Sequence, residues 1–282
     1  MAPAAHPTRN AALGLAVLAA LALADGTMAF GQGRLEARYN ATLAGIKLGQ
    51  GTWIVDAGDD QFTAVASGVT TGLARVFGKG EGTGTARGLV KGGELSPTHY
   101  VSSMTTGRKT EEIRINLNAG AVKDFEVTPP APPSKLRIPV TEAHKRNVFD
   151  PMTASLVRVQ GSGDLLAQDN CRRHTGIFDG RMRYDLTTVY KRFDTVKVKG
   201  YEGQVLVCSL YFVPLAGHVP ERPAIKYLVA QRDIEVWLAP IAGTRVLAPI
   251  KLSVPTPLGT AELEATQFVS APLPAKAAAK SQ

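Results

Sequence analysis

The sequence predicts a mainly β protein: a large antiparallel open or spiral β-barrel, or two packed curved sheets, carrying one or two short helices. Three observations lead there. From residue 30 onward the chain divides into short segments in which apolar and polar residues alternate with period two. Turn residues punctuate these segments, among them Gly58-Asp59-Asp60, Asn118-Ala119-Gly120 and Asp179-Gly180. Helical spacing of apolar residues is confined to one or two places.

Taken in order, the chain opens with Arg9, an apolar run from Ala11 to Ala24, and small residues at two candidate cleavage points. This is the pattern of a secretory signal peptide over residues 1–29, with cut sites after Ala24 or after Ala29. The run is shorter than the ~20 residues a spanning helix needs, which favours a cleaved leader over an anchor, and with no second long apolar run in the sequence cleavage is expected to leave no transmembrane segment. A soluble, periplasmic product is expected, with one barrel-like domain over residues 30–270 and a disordered tail over 271–282.

Strands are predicted from Leu35 to Ala44, Gly49 to Ala57 and Gln61 to Ser67, and Gly72 to Phe77 is read as a single helical turn. A hairpin follows, Glu111 to Asn118 and Ala121 to Val127 about Asn118-Ala119-Gly120. Prolines at 129, 130, 132 and 133 lack the donor a central strand needs, so 129–133 is an extended connector. Asp150-Pro151 places a capping carboxylate before a first-turn proline, and Met152, Leu156 and Val159 continue a short helix as far as Gly161. Further strands are expected at Arg181 to Tyr190, Gln204 to Val213, Ala224 to Gln231, Ile234 to Ala239, Arg245 to Val254 and Thr260 to Val269. Strand Gln204 to Val213 is apolar on both faces and needs a cover on each. The helix near Asp150 is the preferred cover, a bound apolar ligand the other.

Two cysteines, Cys171 and Cys208, occur in the chain. In an oxidising compartment they are expected to form one structural disulfide, since no Cys-x-x-Cys spacing points to redox or metal chemistry. The net charge of +8 comes from basic residues scattered along the chain rather than gathered in a run. With export, this argues against nucleic acid as a partner.

Between residues 78 and 88 small residues alternate with polar ones. Gly78, Gly80, Gly82 and Gly84 would share one strand face, a possible cavity floor, or the segment is a flexible glycine-rich loop or bent strand. The histidines stand in no metal-binding pair, and no Gly-x-Ser-x-Gly elbow is present. Phe178-Asp179-Gly180-Arg181 reads as a hairpin turn, and Arg183 and Asp185, two apart on a strand, as a structural ion pair. No catalytic residue, metal site or cofactor is assigned.

Four segments carry a family resemblance: Tyr39 with Gly45-Ile46-Lys47-Leu48-Gly49, Phe149 to Leu156, Phe178 to Asp185, and Val254 to Thr260. Together they resemble the bacterial exported family catalogued as domain of unknown function 3108, over nearly all of the mature chain. The resemblance implies a periplasmic envelope protein with an open or spiral β-barrel, and supplies no catalytic residues. The leading expectation is a non-enzymatic protein of cell-envelope maintenance that binds an apolar or glycan-like component, an envelope lipid among them, or a periplasmic partner protein. One alternative is a cell-wall or lipid-acting hydrolase or transferase using His144 or His174 with Asp150, Asp169 or Asp179. Another is a structural protein contacting anionic envelope polymers through its basic surface.

Overall fold

The computed structural model describes Met1, residues 31–72 and residues 79–274. The expected signal segment, apart from Met1, lies outside them, as do Gly78, most of the turn read at Gly72 to Phe77, and the tail beyond Pro274. Among the described residues the chain forms β1 (Gly33–Leu43), β2 (Ile46–Ala57), β3 (Gln61–Thr70), β4 (Gly80–Lys91), β5 (Glu94–Thr106), β6 (Lys109–Asn118) and β7 (Ala121–Thr128). After the proline connector come α1 (Pro151–Ala154), β8 (Val157–Arg158), β9 (Arg173–Phe178), β10 (Arg183–Val198) and β11 (Tyr201–Ala216). The chain finishes with α2 (Pro223–Ala230), β12 (Glu235–Pro240), β13 (Val246–Thr256) and β14 (Gly259–Pro272).

These strands make one antiparallel sheet in the order β7-β6-β5-β4-β3-β2-β1-β14-β13-β12-β11-β10-β9, with β8 paired on β13. Neighbours in sequence are neighbours in space almost throughout, because tight turns connect them. At Ala44-Gly45 and Ala119-Gly120 both turn residues have positive φ, the geometry whose twist matches the flanking strands. The first and last strands lie side by side at mid-sheet, Ala37 facing Phe268 and Tyr39 facing Ala265.

The sheet curls without closing, so β7 and β9 are its two free edges. A short strip of chain seals the seam between them. Val148 N donates to Gly120 O at 2.9 Å beside β7. Phe149 pairs with the β9 edge, its N donating to Gly176 O and its O accepting from Phe178 N. Side chains complete the seal: Phe178 meets Phe125 edge-on at 5.0 Å, and Arg181 reaches Glu111 and the Pro129 carbonyl. Ile115, Leu117 and Val148 are buried with Phe178 in a cluster of their own at this seam.

The main core lies under β1–β4, where Leu35, Val55, Phe62 and Ala64 are essentially inaccessible. A second cluster packs Leu206 and Cys208 of β11 against Val157, Val159 and Cys171. Cys171 and Cys208 form a disulfide with a Cα–Cα distance of 5.6 Å. One cover of the doubly apolar strand is therefore β8 and the turn at Gln168–Cys171, downstream of α1, rather than the helix itself.

Two local expectations are corrected. Ala224 to Gln231 is not a strand but lies largely in α2: Pro223 occupies the first helical turn, where its missing N–H costs nothing, and Ile225 and Leu228 fall three apart. The helix at Asp150 stops after Ala154 instead of reaching Gly161, because Val157 and Arg158 pair with Val246 and Leu247 of β13. Strands β5 and β9, which carry no strong sequence signal, were not expected, and β10 runs on to Val198.

The disulfide spans a sequence separation of 37 and ties the chain just before edge strand β9 to the middle of β11. Replacing Cys171 and Cys208 together by serine is expected to lower stability by about 2–4 kcal/mol in the loop-entropy account. The denaturant midpoint measures this; an unchanged midpoint would show that the bridge contributes nothing.

Candidate functional site

Strand register decides which residues share the concave face. Directly opposed positions run across six strands as Ala265, Tyr39, Gly51, Gly68, Gly82 and Met104, from β14 to β5. Three successive strands thus place glycine at the same level. One level further in, the row is Phe268, Ala37, Trp53, Ala66, Gly84 and Ser102. Below that come Leu35, Val55, Ala64, Ala86, Tyr100 and Ile115, which belong to the core or pack on it.

A cavity of about 830 Å³ opens above the glycine row. Its wall includes Gly49, Gly51, Gly68, Gly80 and Gly82 on one side, and Ile177, Tyr184, Leu186, Leu210, Leu238 and Leu252 on another. Exposed Gln50, Glu81 and Met104 stand at its mouth. Sealing a dry void of this size at about 24 cal/mol per Å³ would cost roughly 20 kcal/mol. That exceeds the ~5–15 kcal/mol by which a domain is stable, so the space is wet or occupied.

The floor is set by α1. Asp150 is fully buried and caps this helix, accepting from Met152 N at 3.0 Å and Thr153 N at 2.9 Å through one carboxylate oxygen. The cap follows directly from the seam strip at Val148 and Phe149, so sealing the sheet also delivers the helix into its interior. Met152 then lies over β4: a Cβ built on Gly84 would come within 2.8 Å of Met152 Cε. Gly80 and Gly82 thus line the open space, whereas the position above Gly84 is filled by α1. A Cβ at Gly68 or Gly82 would meet nothing closer than 3.6 Å, so these two positions are bare toward the cavity.

Most polar groups in the wall are hydroxyls, those of Tyr39, Tyr100 and Tyr184 among them. Tyr39 donates to the Pro249 carbonyl at 2.7 Å, and burial raises its phenol above the ordinary range. Tyr100 and Tyr184 are raised by burial too, with the nearby Asp150 and Asp179 carboxylates adding to it. None of these groups is poised as an acid or base near neutral pH.

The histidine and carboxylate pairings that hydrolysis would need are not brought together. His144 bonds Thr141 in a capping arrangement, and His174, largely exposed, pairs with Asp185 at 2.8 Å and Thr187 at 3.1 Å. Asp150 caps α1, Asp179 accepts from the Arg181 and Met182 amides of its turn, and Asp169 pairs with Arg172. Arg183 and Asp185 form the ion pair read from their spacing. Among the described residues no group of three or more His, Cys, Asp or Glu is placed to hold a metal ion. Nor is any helix among them long and apolar enough to cross a membrane.

A family model described as protein of unknown function (DUF3108) matches residues 38–266. No curated protein matches the chain. Among solved structures, the chain is similar to a beta-barrel-like protein of domain of unknown function DUF1849 from Brucella abortus. The identity is 9%, the TM-score 0.48, and the match covers 85% of this chain and 97% of that one.

Burial holds the Asp150 carboxyl above its ordinary value, although its accepted N–H bonds pull the other way. As pH rises, the unfolded chain ionises first, so this group's contribution to stability is full at acid pH and declines between the ordinary Asp range and the folded value. Asp150→Asn keeps a capping oxygen and should remove that decline, whereas Asp150→Ala should cost about 1 kcal/mol through the lost cap. Denaturation midpoints against pH test both statements; identical behaviour of the two variants would contradict the capping role.

Proposed function

The chain belongs to the family described as protein of unknown function (DUF3108), a description that assigns no activity, and we propose that it is a non-enzymatic periplasmic protein of the cell envelope whose cavity holds an apolar component. The observation that carries this reading is the cavity of about 830 Å³ with a glycine wall on one side and aliphatic side chains on the other. Its size falls in the ~300–1,000 Å³ range of small-molecule sites, and barrel mouths are a common place for them. The exposed surface of the cavity is predominantly apolar, which favours a lipid over a glycan.

Location rests on three supports: the signal-like N-terminal sequence, the disulfide, which persists in oxidising compartments, and the exported character that the family resemblance implies. A holder rather than a reactor is the favoured reading, since Asp150 caps a helix, Asp179 caps a turn and Asp185 is engaged with Arg183 and His174.

The test uses a neutral fluorescent apolar probe, N-phenylnaphthylamine, with the full chain as expressed. Binding to a single class of site is expected. Gly68→Leu, whose Cβ meets only ordinary contacts, should fill the space and weaken binding by about tenfold or more, on the order of 1.4 kcal/mol. A wild-type chain that does not bind the probe, and that emerges ligand-free in native mass spectrometry from its own cells, would sink the proposal.

A further inference from the structure

Two charged residues line the cavity, Glu81 and Arg173. Glu81 is exposed at the mouth, whereas Arg173 is partly withdrawn from solvent on edge strand β9. Register places its side chain on the cavity face: Arg173 stands opposite Thr188, and Thr188 opposite Leu210, all three in the wall. The guanidinium donates one long bond, from Nη1 to the Arg158 carbonyl at 3.3 Å, and takes part in no ion pair among the described residues. Its surroundings are short of negative charge. Arg158 is buried beside it with Arg245 nearby, and the closest carboxylate influence, Glu94, is exposed and already bonded to Gln160 Nε2. Arg173 also borders a recess of about 10 Å³ shared with Glu94 and Arg158, too small for anything beyond a water molecule.

A guanidinium is always charged, offers five donors in a fixed fork, and is costly to withdraw from water without an anion to meet it. One such partly buried group in a chamber whose exposed surface is predominantly apolar is the arrangement that recognises an amphiphile by its head. We propose that the occupant is a single-chain anionic amphiphile whose carboxylate or phosphate head pairs with Arg173 while its hydrocarbon tail lies along the Gly51, Gly68 and Gly82 wall. This rests on the apolar-ligand reading above and narrows it to a chemical class. The bidentate fit of guanidinium to carboxylate or phosphate supplies the orientation that a smooth wall cannot.

The experiment measures displacement of the neutral probe from the full chain by hexadecanoate, hexadecyl phosphate and methyl hexadecanoate. The wild-type chain is expected to bind at least one of the two anions about tenfold or more tightly than the ester, and the stronger of the two identifies the head. Arg173→Met should abolish the preference while keeping ester binding, which also certifies that the variant is folded. Arg173→Lys should restore part of it. Equal affinity for anions and ester in the wild-type chain overturns the headgroup assignment and leaves the apolar cavity standing, as does an anion preference that survives in Arg173→Met. No displacement by any of the three, or no probe binding at all, overturns both. Should Arg173→Met fail to fold, the anion-to-ester ratio of the wild-type chain and its response to Arg173→Lys decide the matter.

Discussion

The structure depends on how one open sheet disposes of its two free edges. A curled sheet with β7 and β9 unpaired would present two rows of unused backbone groups, a liability in any β protein. Two residues bridge the gap between them: Val148 bonds the β6–β7 turn and Phe149 pairs with β9. Because Asp150 follows at once and caps α1, the direction of this strip also fixes where the helix goes. Closure and interior architecture are therefore one problem with one solution. The position of Met152 over Gly84 is its most distant result.

The hollow has a different origin from the core beside it. Both arise from the same strands and the same alternation, yet neighbouring rows differ in side-chain volume. Where the row reads Leu35, Val55, Ala64 and Ala86 the interior is filled. Where it reads Tyr39, Gly51, Gly68 and Gly82 there is nothing to fill it with. Glycine weakens a strand through its backbone entropy and its lack of packing; at Gly51 a Cβ would meet the Ser67 carbonyl at 2.8 Å, but at Gly68 and Gly82 no neighbour comes closer than 3.6 Å, so there the cost has no local return. The family model runs across all of these strands, and an apolar chamber is what they produce together.

Much of the architecture was legible in the sequence because it rests on local chemistry. Alternation located most strands, Asn118-Ala119-Gly120 and Asp179-Gly180 marked real hairpin turns, and Asp150-Pro151 announced a helix start. The failures share a cause. Pro223 and the spacing of Ile225 and Leu228 were outweighed by a β-rich window, and Val157 was taken into a helix although tertiary pairing with β13 claims it. The site was legible only in part. Period two revealed the β4 glycines, but Gly51 and Gly68 join them solely through register, which no single strand displays. Nothing in the local sequence singles out Arg173. That it forms no ion pair among the described residues is a three-dimensional fact, with no trace in its immediate neighbours.

The pairing of β1 with β14 carries a consequence for how the molecule comes into being. The ladder at mid-sheet joins residues at opposite ends of the chain, Arg38 with Gln267, whereas nearly every other ladder is a local hairpin. Hairpins form quickly, but contacts of such sequence separation must wait for a large loop to close, and topologies that rely on them fold slowly. Two halves can thus take shape early as separate meanders, β1–β7 and β9–β14, each with a raw margin where the other belongs. The chamber has no walls on both sides until the last strand has been made and has found the first.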